Sequence, residues 1–438
     1  MKKTTRRAFN TKAGGAFLGA CGFPYIIPSS ALGADGAVAP SDRIVMGCVG
    51  VGNMGGGHVG RFLAFDDVQM TAVCDVYDEN NKKAKEKVDQ KYGNSDCAVY
   101  KDYRELLARD DIDAIMTATP DNWHVLVGIE AAAKGKHMYY EKPLAMSIAE
   151  AKAVRAAVKR SGVVFQFGTQ QRSDERFRLA CELVLNGKIG ELKTINIGSA
   201  DYSQIPAQPT EPVPSGFDYD MWLGPAPVAP YTTARKDRWT LLRDYSLGCI
   251  GGAWGVHHVD IAQWANGSDH TDPVEVEGTG SAPEGFFDTA QRFEIEHTYE
   301  NGVKLIHMDR DTARKRAEQY SLHWEGVLFE GTEGWIFVCR QLLEAEPKSI
   351  LNSVLSSSDI RLEKSFNHQR NFLDAVKSGD TTISPIDTAF RSDIICHQAD
   401  IAITLGRKLT WDPVKEDFGG DTEANALMTR PMRAPWQI

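Results

Sequence analysis

From Arg43 to about Phe167 the chain alternates between two hydrophobic rhythms. Short, nearly continuous apolar runs at 44–49, 68–74, 112–117, 136–140 and 163–167 read as strands buried on both faces. Longer mixed segments near 54–65, 78–91, 122–134 and 147–160 read as helices between them. One helix start is well marked, because Ser147-Ile-Ala-Glu150 is a capping box just after Pro143. Strict strand–helix alternation predicts an α/β unit with a doubly wound parallel sheet. After about residue 172 the rhythm changes. A helix near 174–186 leads to a strand near 190–200, then to a long Pro-rich aromatic loop through Ile205–Pro230 and a helix near 255–265. Apolar alternation at 274–281, 288–299, 303–308, 321–330 and 334–339 then predicts strands with no helices between them. Successive strands imply a C-terminal α+β domain with a large, mainly antiparallel open sheet. Helices are expected again at 367–378 and 387–405. The resulting domain plan is leader and linker at 1–39, the parallel-sheet domain at 40–170, the α+β domain at 171–410, and an irregular tail at 411–438.

A chain of 438 residues suits two domains, and the composition is that of an ordinary globular protein. The formal charge of −10 includes a basic N-terminus; without residues 1–34, which hold five cations and no acids, it becomes −15. An acidic body excludes the basic stripe that nucleic-acid binding needs. Thr5-Arg6-Arg7-Ala8-Phe9 precedes a Gly/Ala-rich, mildly apolar segment to about Ile27, the pattern of a removable export signal. Its paired arginines resemble a twin-arginine signal, the route for proteins that fold before export, so export machinery is an expected partner and the periplasm the expected compartment. The apolar stretch is too short for a membrane span. Leu18-Gly19-Ala20-Cys21 also resembles a lipoprotein box, which would place a lipid anchor on Cys21; simple cleavage is the alternative. The eight cysteines lack Cys-x-x-Cys spacing and read as isolated core thiols, with no metal site expected.

The chemistry begins where the first strand ends. Gly50-Val-Gly52-Asn53-Met54-Gly55 follows it directly, a helix comes next, and the second strand closes on Asp75. Strand, Gly-x-Gly-x-x-Gly, helix, strand and a delayed acid form the dinucleotide fingerprint of a Rossmann domain. Gly50 permits the tight turn, Gly52 lets the pyrophosphate approach, and Gly55 lets helix and strand pack closely. The helix N-terminus at Asn53 and Met54 offers N–H groups to phosphates. Asp75 would accept from the adenine-ribose hydroxyls and repel a 2′-phosphate, which favours NAD over NADP. Downstream, Glu141-Lys142-Pro143 ends another strand, so Lys142 projects from the carboxyl edge of the sheet, where ligands bind and where an amine can position or deprotonate a hydroxyl.

Together, the fingerprint, Thr119-Pro120-Asp121-Asn122-Trp123-His124, Glu141-Lys142-Pro143 and Gly255-x-His257-His258-x-Asp260 resemble the Gfo/Idh/MocA oxidoreductase family over essentially residues 40–438. The resemblance implies a Rossmann domain holding NAD(P), a sugar or polyol at the domain junction, and a homo-oligomer built on the open sheet. It assigns catalytic roles to Lys142 and His257. It places Thr119 and Pro120, with Asn122, His124 and Glu141 of the same motifs, around the cofactor, and Arg172 at the ligand. Many family dehydrogenases carry Asp four residues before the histidine, one helical turn away. Here that residue is Ala253, so the usual Lys-Asp-His constellation is incomplete. Asp260, three residues on, could orient His257, although its place in the motif usually reads as structural; Arg243 and Asp244 lie upstream and could supply polar contacts to the substrate. His258 points about 100° from its neighbour, so a substrate contact and a packed helix histidine both stay open. Three functions follow as expectations. One is an exported sugar or polyol oxidoreductase whose NAD binds before translocation and is recycled in place. Another is an NAD-dependent glycosidase that oxidises, eliminates and re-reduces. The third is a non-catalytic sugar-binding relative.

Overall fold

The computed structural model describes residues 38–200 and 202–438; the twin arginines Arg6 and Arg7 and the lipobox Cys21 lie outside them. Residues 44–438 form one compact unit built on two sheets. The first is six-stranded and wholly parallel, in the order β3-β2-β1-β4-β5-β6. Its strands are β1 (Ile44–Val49), β2 (Val68–Cys74), β3 (Ala98–Tyr100), β4 (Ala114–Thr117), β5 (His137–Tyr140) and β6 (Phe165–Phe167). Helices α1 (Asn53–Phe62), α2 (Asp78–Tyr92), α3 (Tyr103–Leu107), α4 (Asp121–Ala133) and α5 (Ile148–Ser161) connect them. Strand order reverses between β1 and β4, which opens a crevice at the carboxyl ends of those strands. Ser147 Oγ accepts from Glu150 N at 3.3 Å, the capping expected of that box. The pair β3 and α3 escaped the hydrophobic pattern because each is a single short element of three and five residues.

Helix α6 (Glu175–Leu185) leads into a mixed sheet of eight strands, ordered β13-β12-β11-β7-β10-β9-β8-β14. They are β7 (Leu192–Gly198), β8 (Glu275–Ser281), β9 (Arg292–Thr298), β10 (Lys304–Met308), β11 (Val327–Gly331), β12 (Trp335–Val338), β13 (Leu343–Glu346) and β14 (Leu409–Thr410). Only β7 and β10 pair in parallel; every other neighbour is antiparallel. Between β7 and β8 lie the short helices α7 (Tyr219–Leu223) and α8 (Thr233–Asp237) and the longer α9 (Val256–Ala265). The expectation of strands without intervening helices needs correction. Helix α10 (Arg310–Glu318) separates β10 from β11. Its sequence is too polar to show an apolar stripe, yet Asp309 caps it, accepting from Asp311 N at 2.9 Å and Thr312 N at 3.2 Å.

The late helices α11 (His368–Ser378) and α12 (Ile386–Leu405) return to the first sheet. Phe372 and Leu373 of α11 are fully buried with Met46, Cys48 and Tyr139. The C-terminal segment, which includes α13 (Thr422–Ala426), also reaches back: Arg430 pairs with Glu150 at 2.7 Å, and Trp436 packs edge-on against Trp123. The seven described cysteines are all buried and form no disulfide with one another. No described helix is long and apolar enough to cross a membrane.

Candidate active site

The crevice above β1 and β4 holds a cavity of about 490 Å³. Gly50, Gly52, Asn53, Met54, Asp75, Thr119 and Pro120 line one side of it. Gly50 sits at φ +75°, and a Cβ there would fall 2.7 Å from the Ala118 carbonyl. Gly55 lies behind the wall: its Cβ would be 1.8 Å from Gly50 O, so close packing of helix on turn demands glycine. Helix α1 starts at Gly52 with no side-chain cap and no acid in its first turn. Its first N–H groups therefore face the cavity unneutralised, which is the electrostatic setting a pyrophosphate requires. The Asp75 carboxylate braces the nucleotide loop. Oδ2 accepts from Val51 N at 2.9 Å and Oδ1 from Tyr77 N at 3.0 Å. Asn80 also bonds this carboxylate, and its remaining lone-pair capacity can accept from a ribose hydroxyl.

The opposite side of the cavity comes from the long aromatic loop. Phe217, Met221, Trp222, Lys236 and Trp239 all line it. This strap is tied to the Rossmann domain by backbone: Asp78 N donates to Gly216 O at 3.0 Å and Asp218 N to Val76 O at 2.9 Å, forming an antiparallel bridge between Tyr77 and Phe217. Trp123 Nε1 adds a 3.2 Å bond to Trp222 O. The sequence read this stretch as a Pro-rich loop, with nothing to show what it would cover.

Three residues expected at the cofactor stand behind the wall. Asn122 donates through Nδ2 to Leu223 O at 3.0 Å. His124 bridges backbone, with ring nitrogens 2.6 Å from Pro143 O and 3.0 Å from Thr119 O, which fixes the two motif loops against each other. Glu141 is buried and bonded to His58 Nε2 at 2.7 Å. Burial acts to raise its pKa, but the His58 bond and charge outweigh that and hold it low.

Lys142 and His257 arrive from different elements, the end of β5 and the first turn of α9. Lys142 Nζ donates to Gly252 O at 2.6 Å. His257 is buried with Nδ1 unpartnered among the described residues. Burial, then the charges of Lys142 and Arg340, hold its pKa well below the ordinary histidine value, so the ring is neutral and available to accept a proton. Around them stand two residues the sequence did not single out, Trp254 and Arg340, whose guanidinium lies 4.6 Å over the indole. Neither could be found from spacing, because Arg340 follows β12, about eighty residues beyond α9.

The residues expected to contact substrate are held by other protein groups as follows. Arg172 and Asp260 are consumed by each other: Nε–Oδ2 is 2.7 Å and Nη2–Oδ1 is 2.9 Å, with Asp269 completing the pair at 2.7 Å and Ser392 Oγ bonding Asp260 at 2.8 Å. His258 is the packed histidine, with Nδ1 3.1 Å from Gly198 O and its ring edge-on to Trp254. Arg243 is a surface residue held by Asp288 and Asp400. Asp244 is half-buried; burial raises its pKa, with Asp288 adding to the rise and Arg235 and Arg430 opposing it. No cluster of three or more metal-ligating side chains occurs among the described residues.

Comparison with known proteins decides the family. Residues 44–169 match the Gfo/Idh/MocA oxidoreductase family's NAD-binding Rossmann fold, and residues 202–438 its C-terminal alpha/beta domain. The chain belongs to the Gfo/Idh/MocA oxidoreductase family. Its first domain binds NAD. An uncharacterized oxidoreductase of Bacillus subtilis is 29% identical over 269 residues, 60% of this chain and 66% of that protein. An alpha-N-acetylgalactosaminidase of Shewanella oneidensis is 38% identical over 128 residues, 28% of each chain. A myo-inositol 2-dehydrogenase of Thermotoga maritima is 28% identical over 186 residues, 42% of this chain and 54% of that protein. The chain thus spans less than two thirds of the length of these relatives. Among solved structures, an aldose–aldose oxidoreductase from Caulobacter crescentus shares the fold with a TM-score of 0.62 at 17% identity, over 84% of this chain and 99% of that one. The GenD2 enzyme of gentamicin A biosynthesis, in complex with NAD, gives 0.60 at 18%, over 85% and 97%.

Proposed function

We propose that this protein is an exported NAD-dependent oxidoreductase that acts on a sugar or polyol hydroxyl and retains its cofactor between turnovers. The observation that carries the reading is the strap. A dinucleotide in the 490 Å³ cavity would lie between the glycine turn and a segment held to the Rossmann domain by the bridge between Tyr77 and Phe217, a contact that would slow its release. Retention suits a protein carrying Arg6-Arg7, since free NAD is not expected outside the cytoplasm.

When bound, NAD supplies the hydride acceptor and donor. Gly52 and the N-terminus of α1 would hold its pyrophosphate, Asp75 its adenine ribose, and Thr119 and Pro120 would flank the nicotinamide. Lys142 takes the hydroxyl proton through Nζ, while the neutral His257 ring orients the same hydroxyl or accepts its proton in its place. Trp254 offers a flat face for a sugar ring. The same reading includes passage through the export machinery and a homo-oligomer formed along the open sheet.

A second reading, NAD-dependent glycoside hydrolysis, is favoured by one sequence observation. Ala253 stands where family dehydrogenases carry a carboxylate, and a transient oxidation followed by elimination places different demands on the acid and base. The similarity to the Shewanella glycosidase supports it.

Purified protein should carry nicotinamide, seen by absorbance and mass spectrometry. Incubation with sugars should yield an oxidised sugar paired with a reduced one; phenol release from aryl glycosides without net NADH would establish hydrolysis instead. Lys142→Ala should abolish either turnover while leaving NAD bound. A protein that neither carries NAD nor binds it at micromolar concentration would overturn both readings. Replacing Arg6 and Arg7 by lysine should leave the protein in the cytoplasmic fraction.

A further inference from the structure

The strap has a backing of its own. Residues 220–225 carry Trp222 to the cofactor cavity and accept from Asn122 and Trp123 of α4 through Leu223 O and Trp222 O. From much later in the chain they also meet Arg433. Its backbone N donates to Pro225 O at 2.8 Å, Nε to Gly224 O at 2.8 Å and Nη2 to Asp220 O at 2.9 Å. Nη1 adds a 2.5 Å bond to Asp220 Oδ1. All but the last of these acceptors are backbone carbonyls, so Arg433 fixes the path of the chain there and not merely one side chain. The arginine side chain is only 18% exposed, and charge-assisted bonds in so sheltered a place are the strong kind.

Trp436 backs the neighbouring part of the wall. It packs edge-on against Trp123 with ring centroids 4.7 Å apart, and the Arg104 guanidinium lies 5.4 Å over its face. Trp123 and Tyr103 both line the cofactor cavity and meet edge-on at 5.7 Å. The strap presses on the same indole. Gly224 sits at φ +52°, and a Cβ there would fall 2.3 Å from the Trp123 ring, so only glycine lets the two meet. Trp436 N donates to Arg433 O at 3.0 Å, which joins both anchors in one turn.

We propose that Arg433 and Trp436 are positioning residues of the cofactor site, which set how long NAD stays bound without themselves lining the cavity. The inference rests on the strap retaining the cofactor, as given under the proposed function. Arg433 acts through residues 220–225 and hence through Trp222; Trp436 acts through Trp123. Without Arg433, the carbonyls of Asp220, Gly224 and Pro225 lose their donor from outside the strap. The stretch then opens more often, and a bound dinucleotide leaves sooner. Without Trp436, the Trp123 indole loses the ring behind it, and with it the support for its 3.2 Å bond to Trp222 O.

The test is the rate at which the purified full chain, loaded with isotope-labelled NAD, releases it into an excess of unlabelled NAD. Arg433→Ala and Trp436→Ala should each speed release about tenfold, the scale of losing charge-assisted bonds or a buried ring contact. Trp436→Phe keeps an edge-on ring and should stay within about twofold of wild type, a rescue that holds even if the alanine variant folds poorly. A double-variant cycle separates positioning from general stability. Once Trp222→Ala has removed the strap's own contact with the cavity, adding Arg433→Ala should change the rate little, whereas a merely structural role would add its full effect. Release from both alanine variants at the wild-type rate, or full additivity with Trp222→Ala, would overturn the inference and leave the proposed function standing. A wild-type chain that releases NAD as fast as Trp222→Ala would show that the strap retains nothing, and the retention reading and this inference would fall together.

Discussion

Replacing Arg172 by Met separates the two roles this residue could play. The arginine is 2% exposed and its partner Asp260 is fully buried, joined by two bonds to the carboxylate and one to the Asp260 carbonyl, with Asp269 and Ser392 adding further bonds. Removing one member of such a pair leaves an uncompensated charge in the interior, which costs about 3–5 kcal/mol. For roughly 400 folded residues the unfolding entropy near the midpoint is about 0.8 kcal/mol per degree, so Tm should fall by about 4–6 °C. Burial already raises the Asp260 pKa, and losing Arg172 raises it further. A carboxyl whose folded pKa stands above its unfolded value destabilises the fold most when ionised, so the deficit should shrink as pH is lowered from 7 towards 5. The double replacement Arg172→Met with Asp260→Leu should recover most of the loss, because neither charge remains to be solvated. The assay is thermal unfolding by tryptophan fluorescence at pH 7 and pH 5, with turnover measured below both midpoints. A variant of unchanged Tm whose KM rises would refute the structural role and return Arg172 to the substrate.

Other consequences are equally direct. Gly55→Ala drives a methyl group to within 1.8 Å of Gly50 O, so the turn must shift and NAD affinity should fall at least tenfold by titration calorimetry. Trp222→Ala opens the strap side of the cavity, and the protein should then purify with less bound NAD and lose it on dialysis, read from absorbance. His297 of β9 is buried with both ring nitrogens unpartnered among the described residues, and burial pushes its pKa down to about 3. A lowered folded pKa means stability is lost as pH falls through the unfolded value of about 6.5. Relative to wild type, His297→Leu should therefore gain stability steadily from pH 7 to pH 4; a constant difference would show that the ring is already charged.

The pattern of apolar positions carried much of the first domain because most of its parallel strands, β1, β4, β5 and β6, are buried on both faces. That periodicity survives in the sequence whatever the neighbours are. The nucleotide turn was equally legible: Gly50, Gly52 and Gly55 answer to backbone demands within a dozen residues. Helix α10 was not, because a polar surface helix has no apolar stripe and is started by one capping aspartate. Within the candidate site, Arg172, His258 and Asp260 looked like ligands because polar residues near a motif do. Their partners, Gly198 O, Asp269 and Ser392, come from other elements, and only the packing showed those groups already satisfied.

By itself, the sequence determined the α/β architecture, the nucleotide turn and the delayed acid Asp75, all of them local patterns, and its motifs singled out Lys142 and His257 as candidates. The tertiary structure alone decided what faces what. It laid the aromatic strap along the cofactor cavity, spent Arg172 on Asp260, and brought Arg433 against Gly224, across 209 residues of chain. The reason is physical: hydrophobic periodicity is set within a few turns of chain, whereas the pairing and burial of charged groups depend on contacts that only long-range packing creates.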